Sequence, residues 1–213
     1  EHLLAGELDI AMASTYALQE HPELCLLPGL GVTSNGPALS VRLLSRVPPA
    51  EIRRLALDFS SCTSVMLARV ILADCYGIYP ECVTLPPDRD AMLSEADAAV
   101  LIGDIGIAVT AEGLLDLDLG AEWHALTGLP FYFAGWIARD AETLAAAGPL
   151  LHEACEHGLA RLPEIAREES ERLQLPEALC YRYLAEVMNY HTGEAETRGL
   201  REFFVRTERF TPL

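Results

Sequence analysis

Three stretches carry residues whose types and spacing could do chemistry. The run Ser60-Ser61-Cys62-Thr63-Ser64 offers four hydroxyls in five positions, between an apolar run and a helix-periodic stretch. A helix start exposes free amides and a partial positive charge, so an anion can dock there without a cationic side chain. The same hydroxyls also cap a helix, and both readings stand. Gly36-Pro37-Ala38-Leu39-Ser40 is the second stretch. Glycine lets backbone approach a ligand and Ser40 could aim a hydroxyl into a cleft, although residue types alone favour an ordinary turn. The third is Gly103-Asp104, at the C-terminal end of an apolar run, where open α/β sheets bind ligands. Asp104 reads there either as a hydrogen-bond acceptor or proton carrier, or as the N-cap of the next element.

Other candidates fall away. His152 and His157 flank a Glu-Ala-Cys-Glu stretch, but at i, i+5 they lie about 140° apart around a helix, not on the shared face of a zinc-protease pair. The acid–leucine alternation of 115–119 lacks the spaced oxygens of a calcium loop. Six cysteines without a C-x-x-C pair read as reduced thiols, so no metal is expected. No G-x-S-x-G elbow, Walker loop or G-x-G-x-x-G fingerprint is present.

The 213 residues carry a formal charge of −17, and all fifteen basic residues are arginine. Such a surface repels phosphate backbones, which argues against a nucleic-acid partner. It also opposes an anionic ligand, which local dipoles and neutral donors would have to hold. No apolar run reaches the roughly 18 uncharged residues of a membrane span, and no basic start suggests a signal peptide.

The elements that must position these groups can be derived from periodicity. Strands are expected at 8–13, 24–27, 38–45, 54–59, 82–85, 98–102 and 131–138. A helix succeeds 60–64 with one apolar side and ends at Gly77; further helices run over 141–158, 162–173, 177–191 and 195–209. Gly29, Gly31 and Gly36-Pro37 read as loop. Residues 1–5 read as a helix tail capped by Gly6, which suggests that an upstream strand and most of a helix precede this sequence. Apolar strands alternating with helices argue for an α/β protein with parallel sheets in two lobes. The lobes are expected as 1–46 with 128–213, and 47–127.

Several segments together resemble one family. They are Gly6 to Ile10; Gly36-Pro37 with Ser40-Val41 and Ser45; Ser61 with Thr63 to Val65; Ala96 to Asp104; Asp118 to Gly120 with Glu122-Trp123; Thr127 to Phe131 with Phe133-Ala134 and Trp136; and Tyr183-Leu184, Tyr190, Gly199-Leu200 and Phe203. These look like the chorismate dehydratases of the futalosine route to menaquinone, over essentially the whole chain. The resemblance implies a periplasmic-binding-protein type II fold, a cytoplasmic enzyme without a cofactor, and chorismate as substrate. By position, Ser40 matches the family serine beside the substrate ring, and Ser61, Thr63 and Ser64 match the helix start that receives a carboxylate. A family asparagine lies in an N-terminal segment missing here. A related cyclising enzyme has a histidine where this chain has Gly103-Asp104, which favours the dehydratase. A solute-binding protein on the same architecture is the other alternative. Arg42 alternates with Ser40 and shares its side of a strand. Oligomeric state is not legible.

Overall fold

The computed structural model describes residues 2–58 and 62–210. The chain starts with β1 (Ile10–Ser14), α1 (Ala17–Glu20) and β2 (Cys25–Ser34), then crosses to β3 (Val41–Ser45). Next come β4 (Arg54–Asp58), α2 (Cys62–Tyr76), β5 (Glu81–Leu85), α3 (Arg89–Glu95), β6 (Ala98–Ile102), α4 (Gly103–Ala108), β7 (Leu115–Asp118) and α5 (Leu119–Thr127). It returns through β8 (Phe131–Ala138) to α6 (Ala141–Ala160), α7 (Leu162–Leu173), α8 (Glu177–Arg182), a π turn (Tyr183–Val187), β9 (Met188–His191) and α9 (Glu194–Thr207).

Two sheets result, with strand orders β1-β8-β2-β9 and β5-β4-β6-β3-β7. The expectation of parallel sheets is corrected. Among the described residues only β4 runs parallel to its neighbours β5 and β6, and every other pairing is antiparallel. Alternation of strand and helix reports burial, whereas direction is set by how the crossing strands enter each sheet. The crossing also falls earlier than expected: β3 pairs with β6 and β7, so the chain changes sheets at 35–40, not at 46.

Two readings of local pattern are likewise corrected. Gly29 and Gly31 lie inside β2, where the register against β8 shifts between Leu26 and Gly31. A Cβ on Gly31 would stand 2.3 Å from the Tyr132 ring, whose hydroxyl donates to the Leu30 carbonyl at 2.8 Å. Glycine therefore marks a ring packed over a bulged strand, not a loop. The helix expected over 177–191 gives way to the π turn and β9, and four residues of strand are too few for alternation to announce. The short helix α3 was hidden behind Pro86-Pro87-Asp88; Asp88 caps it by accepting from the Ala91 N–H at 2.8 Å.

The central helix α2 is buried on nearly all sides, Met66 and Val70 as fully as Leu67 and Ile71. An apolar stripe alone would suit a helix covering one sheet; a helix apolar all round belongs between layers. Here α2 packs against β6 and α5 of one unit and against β8 and α9 of the other. One cluster of buried residues consequently runs from Leu43 and Leu55 through α2 to Phe131 and Phe203. Edge-to-face contacts join Phe131 to Trp123 (5.3 Å between centroids) and Phe203 to Phe131 (4.9 Å). The indole N–H of Trp123 is satisfied by the Pro130 carbonyl at 3.2 Å.

Beside this apolar junction Asp74 of α2 takes ion pairs from Arg206 of α9 and from Arg209, each at 2.6 Å. Burial works to raise its pKa, but hydrogen bonds from Arg209 and Arg206 prevail and hold it below its ordinary 3.8. Two outcomes are expected. Phe203→Ala should cost about 3–5 kcal/mol in urea unfolding, because the hole opens where both sheets meet. A carboxylate with a depressed folded pKa stabilises above its unfolded value and loses that contribution as pH falls through the folded one. The stability gap between wild type and Asp74→Asn should thus be constant above about pH 4 and shrink below it, as read from urea midpoints at stepped pH.

Candidate functional site

The cavity between the sheets, of about 250 Å³, takes Ser14 and Met12 from β1, Phe133 from β8 and Met188 from β9 on one side. From the other come Ser40 and Val41, Ser64 of α2, and Ile102 with Gly103; Tyr183 of the π turn closes it. Ser40 and Ser64, which line it, are each only 3% exposed. Among the described residues no arginine lines this cavity.

Of the sequence candidates, Ser40 and Ser64 are brought into this one crevice. Ser60 and Ser61 fall outside the described residues. Thr63 is held elsewhere: its hydroxyl pairs with that of Ser14 and accepts the Tyr16 N–H at 3.2 Å, while its own N–H donates to Ser14 Oγ at 3.1 Å. It fastens the start of α2 to the end of β1. Asp104 is not a lining residue. It sits inside α4, whose N-cap is Ile102, and pairs with Arg172 of α7 at 2.8 Å, both side chains more than half exposed. Gly103, one residue earlier, is what the cavity meets. Gly36 takes a left-handed φ of 121° and its carbonyl accepts from Ser34 Oγ at 3.2 Å, so it turns the crossing and does not line the cavity. Arg42 is engaged with Asp116 at 2.5 Å and with the Val109 carbonyl at 2.6 Å.

What positions Ser40 is Asp118, part of the family resemblance but given no role by its residue type alone. The Asp118 carboxylate accepts the N–H groups of Ala38 (2.9 Å) and Leu39 (2.7 Å) from the crossing, and that of Ala121 (3.0 Å) from α5. One side chain thus caps a helix and clamps the loop before Ser40. Capping was legible in an Asp preceding a helix; the clamp, spanning distant segments, was not. The loop is tight. The Ser40 N–H returns to the Ala38 carbonyl at 2.7 Å, with Leu39 at φ 59°, a left-handed value costing a side-chain-bearing residue about 1–3 kcal/mol. Glycines also let α4 and α5 approach this loop closely, at Gly106 and Gly120. A Cβ at Gly106 would stand 2.2 Å from the Ser40 carbonyl oxygen, and one at Gly120 would stand 2.7 Å from that of Gly36.

The second missed group is Tyr183, whose hydroxyl shares a 3.0 Å hydrogen bond with Ser40 Oγ. Burial raises its pKa above the ordinary 10.0; the Ser40 bond opposes this and the Asp104 charge adds to it, so the phenol is neutral near pH 7. Tyr183 is among the residues that carry the family resemblance, but reading 177–191 as unbroken helix hid its contact with Ser40. The arrangement can hydrogen-bond a polar ligand from Ser14, Ser40, Ser64 and Tyr183 between apolar walls. Among the described residues no helix is long and apolar enough to cross a membrane, and no group of three or more metal-ligating His, Cys, Asp or Glu side chains gathers. Asp118→Ala should lower stability by about 1–3 kcal/mol, from orphaned amides and a lost cap. It should also speed hydrogen exchange at Ala38 and Leu39, a joint effect that thermal unfolding and amide exchange would read; Asp118→Asn, keeping one acceptor oxygen, should lose less.

Residues 1–209 match the family described as menaquinone biosynthesis. The chain is 32% identical to the chorismate dehydratase of Thermus thermophilus, over 94% of its own length and 80% of that protein. Among solved structures it resembles a structural-genomics protein of Archaeoglobus fulgidus (TM-score 0.75, 20% identity, 96% of this chain and 80% of that one). It also resembles the alkanesulfonate-binding protein of Xanthomonas axonopodis pv. citri (TM-score 0.64, 18% identity, 96% and 78%). At such identities these likenesses show the fold, which is periplasmic-binding-protein-like, as expected. With two sheets facing a hydroxyl-lined crevice and a family match over nearly its whole length, the chain belongs to the menaquinone biosynthesis family.

Proposed function

We propose that this chain is a chorismate dehydratase, a hydro-lyase that takes water from chorismate to leave 3-[(1-carboxyvinyl)oxy]benzoate. The observation that carries the reading is the meeting of Ser40, Ser64 and Tyr183 hydroxyls in one crevice between the sheets, in a chain 32% identical to a chorismate dehydratase. The units that close on the substrate are the β1-β8-β2-β9 sheet with its C-terminal helices and the β5-β4-β6-β3-β7 sheet with α2 to α5. We place the protein in the cytoplasm on its six free thiols, the state of cysteine in a reducing compartment.

Chorismate is a dianion, and its binding has to be local because the molecule's net charge opposes it. The N-terminal end of α2, with the Ser64 hydroxyl, receives one carboxylate. A helix end supplies about 0.3–2 kcal/mol per such contact, so the crevice must add hydrogen bonds and exclude water. Met12, Phe133 and Met188 supply the dry wall. Ser40 hydrogen-bonds the ring hydroxyl that departs. Among the described residues no histidine, aspartate or glutamate lines the cavity, and the substrate's own enolpyruvyl carboxylate takes the ring proton. Aromatisation drives the reaction, leaving orientation, worth up to about 7–11 kcal/mol, as the protein's main contribution.

Incubating the complete protein with chorismate should give the ultraviolet spectrum of the aromatic product. Ser40→Ala should lower kcat/KM by about a hundredfold or more, the range of a lost transition-state hydrogen bond. Wild-type rates in the Ser40→Ala variant would remove Ser40 from the mechanism.

A further inference from the structure

Tyr183 reaches Ser40 across the gap between the sheets. Ser40 belongs to the crossing that opens the five-stranded sheet and is held there by the Asp118 clamp and by the close approach of Gly106 to its carbonyl. Tyr183 hangs from the π turn that leads into β9 of the four-stranded sheet. Single π turns inside otherwise α-helical segments recur at functional sites; this one delivers Tyr183 and Met188 to the same cavity. The 3.0 Å bond between the two hydroxyls therefore spans the two units and exists only while they are together.

A serine hydroxyl rotates freely and can direct its proton almost anywhere, whereas a partner donating to its oxygen removes that freedom. We propose, resting on the dehydratase reading above, that Tyr183 is the positioning residue of Ser40: on closure its hydroxyl donates to Ser40 Oγ and turns the Ser40 proton toward the departing ring hydroxyl. Burial keeps Tyr183 a phenol and hence a donor. In the elimination the ring C–H proton passes to the enolpyruvyl carboxylate and its electron pair completes the aromatic ring. The C–O bond breaks with its pair on oxygen, and the carboxylate hands the proton to that oxygen, so water leaves. Ser40 holds the departing oxygen by the hydrogen bond that Tyr183 has aimed, and both residues finish unchanged. Closure and activation are thereby one event, since Ser40 lacks a fixed direction until water has been shut out.

A double-mutant cycle on the complete protein tests this, with chorismate as substrate and product absorbance as readout. Tyr183→Phe should lower kcat about tenfold or more while KM stays within about threefold, and Ser40→Ala with Tyr183→Phe should be no slower than Ser40→Ala alone. The unfolding midpoint of Tyr183→Phe should match wild type; if that variant fails to fold, Tyr183→Met enters the same cycle. Multiplicative losses in the pair, or an unaffected Tyr183→Phe, would overturn the positioning role while leaving the dehydratase reading intact. A wild type inactive on chorismate would sink both.

Discussion

The Asp118 carboxylate holds three backbone N–H groups from two segments, and the geometry of the crevice hangs on it. Two of those amides belong to the crossing between the sheets and the third to the helix that begins the return. A buried amide left unpaired costs about 1–3 kcal/mol, so the crossing has little freedom to take another path. The left-handed Leu39 is the strained part of that path, and the glycines at 106 and 120 let neighbouring helices press against it. Ser40 is the first residue beyond the strain. Rigid seating of a hydroxyl at a place where two sheets converge is what separates a site from a surface serine.

Electrostatics shapes the rest. With a formal charge of −17 and no arginine among the described residues of the cavity, these residues offer an anion dipoles and hydroxyls. Arginines near the crevice are engaged with the protein itself: Arg42 with Asp116 and carbonyls, Arg172 with Asp104 and Glu169. In the proposed mechanism this restraint is useful. A cation beside the enolpyruvyl carboxylate would lower its basicity and spoil it as the proton acceptor. Neutral donors fix the substrate without taking that role away.

The junction between the units is both apolar and ionic. The α2 helix, buried on nearly all sides, together with Trp123, Phe131 and Phe203, makes the two sheets share one core. Asp74 with Arg206 and Arg209, and Thr63 with Ser14, tie α2 to the other unit at its two ends.

Much was legible in the residues alone, and for a reason of range. Strands 98–102 and 131–138 coincide with β6 and β8, and the helix over 162–173 with α7, because hydrophobic periodicity and caps are local signals. Ser64 could be named because a helix start announces itself within a few positions, whereas Ser40 was named through the family resemblance, its residue types alone favouring an ordinary turn. Strand direction, the sheet to which β3 belongs, and the brief β9 depend on partners far along the chain, as does the bulge under Tyr132. The same holds for Asp118 clamping residues 38 and 39, for Thr63 bound to Ser14, and for Tyr183 facing Ser40. Residue order determined which segments would be helix or strand and where hydroxyls could gather. Tertiary structure decided which of those hydroxyls meet, because a hydrogen bond between residues 40 and 183 exists only once two sheets have packed on α2.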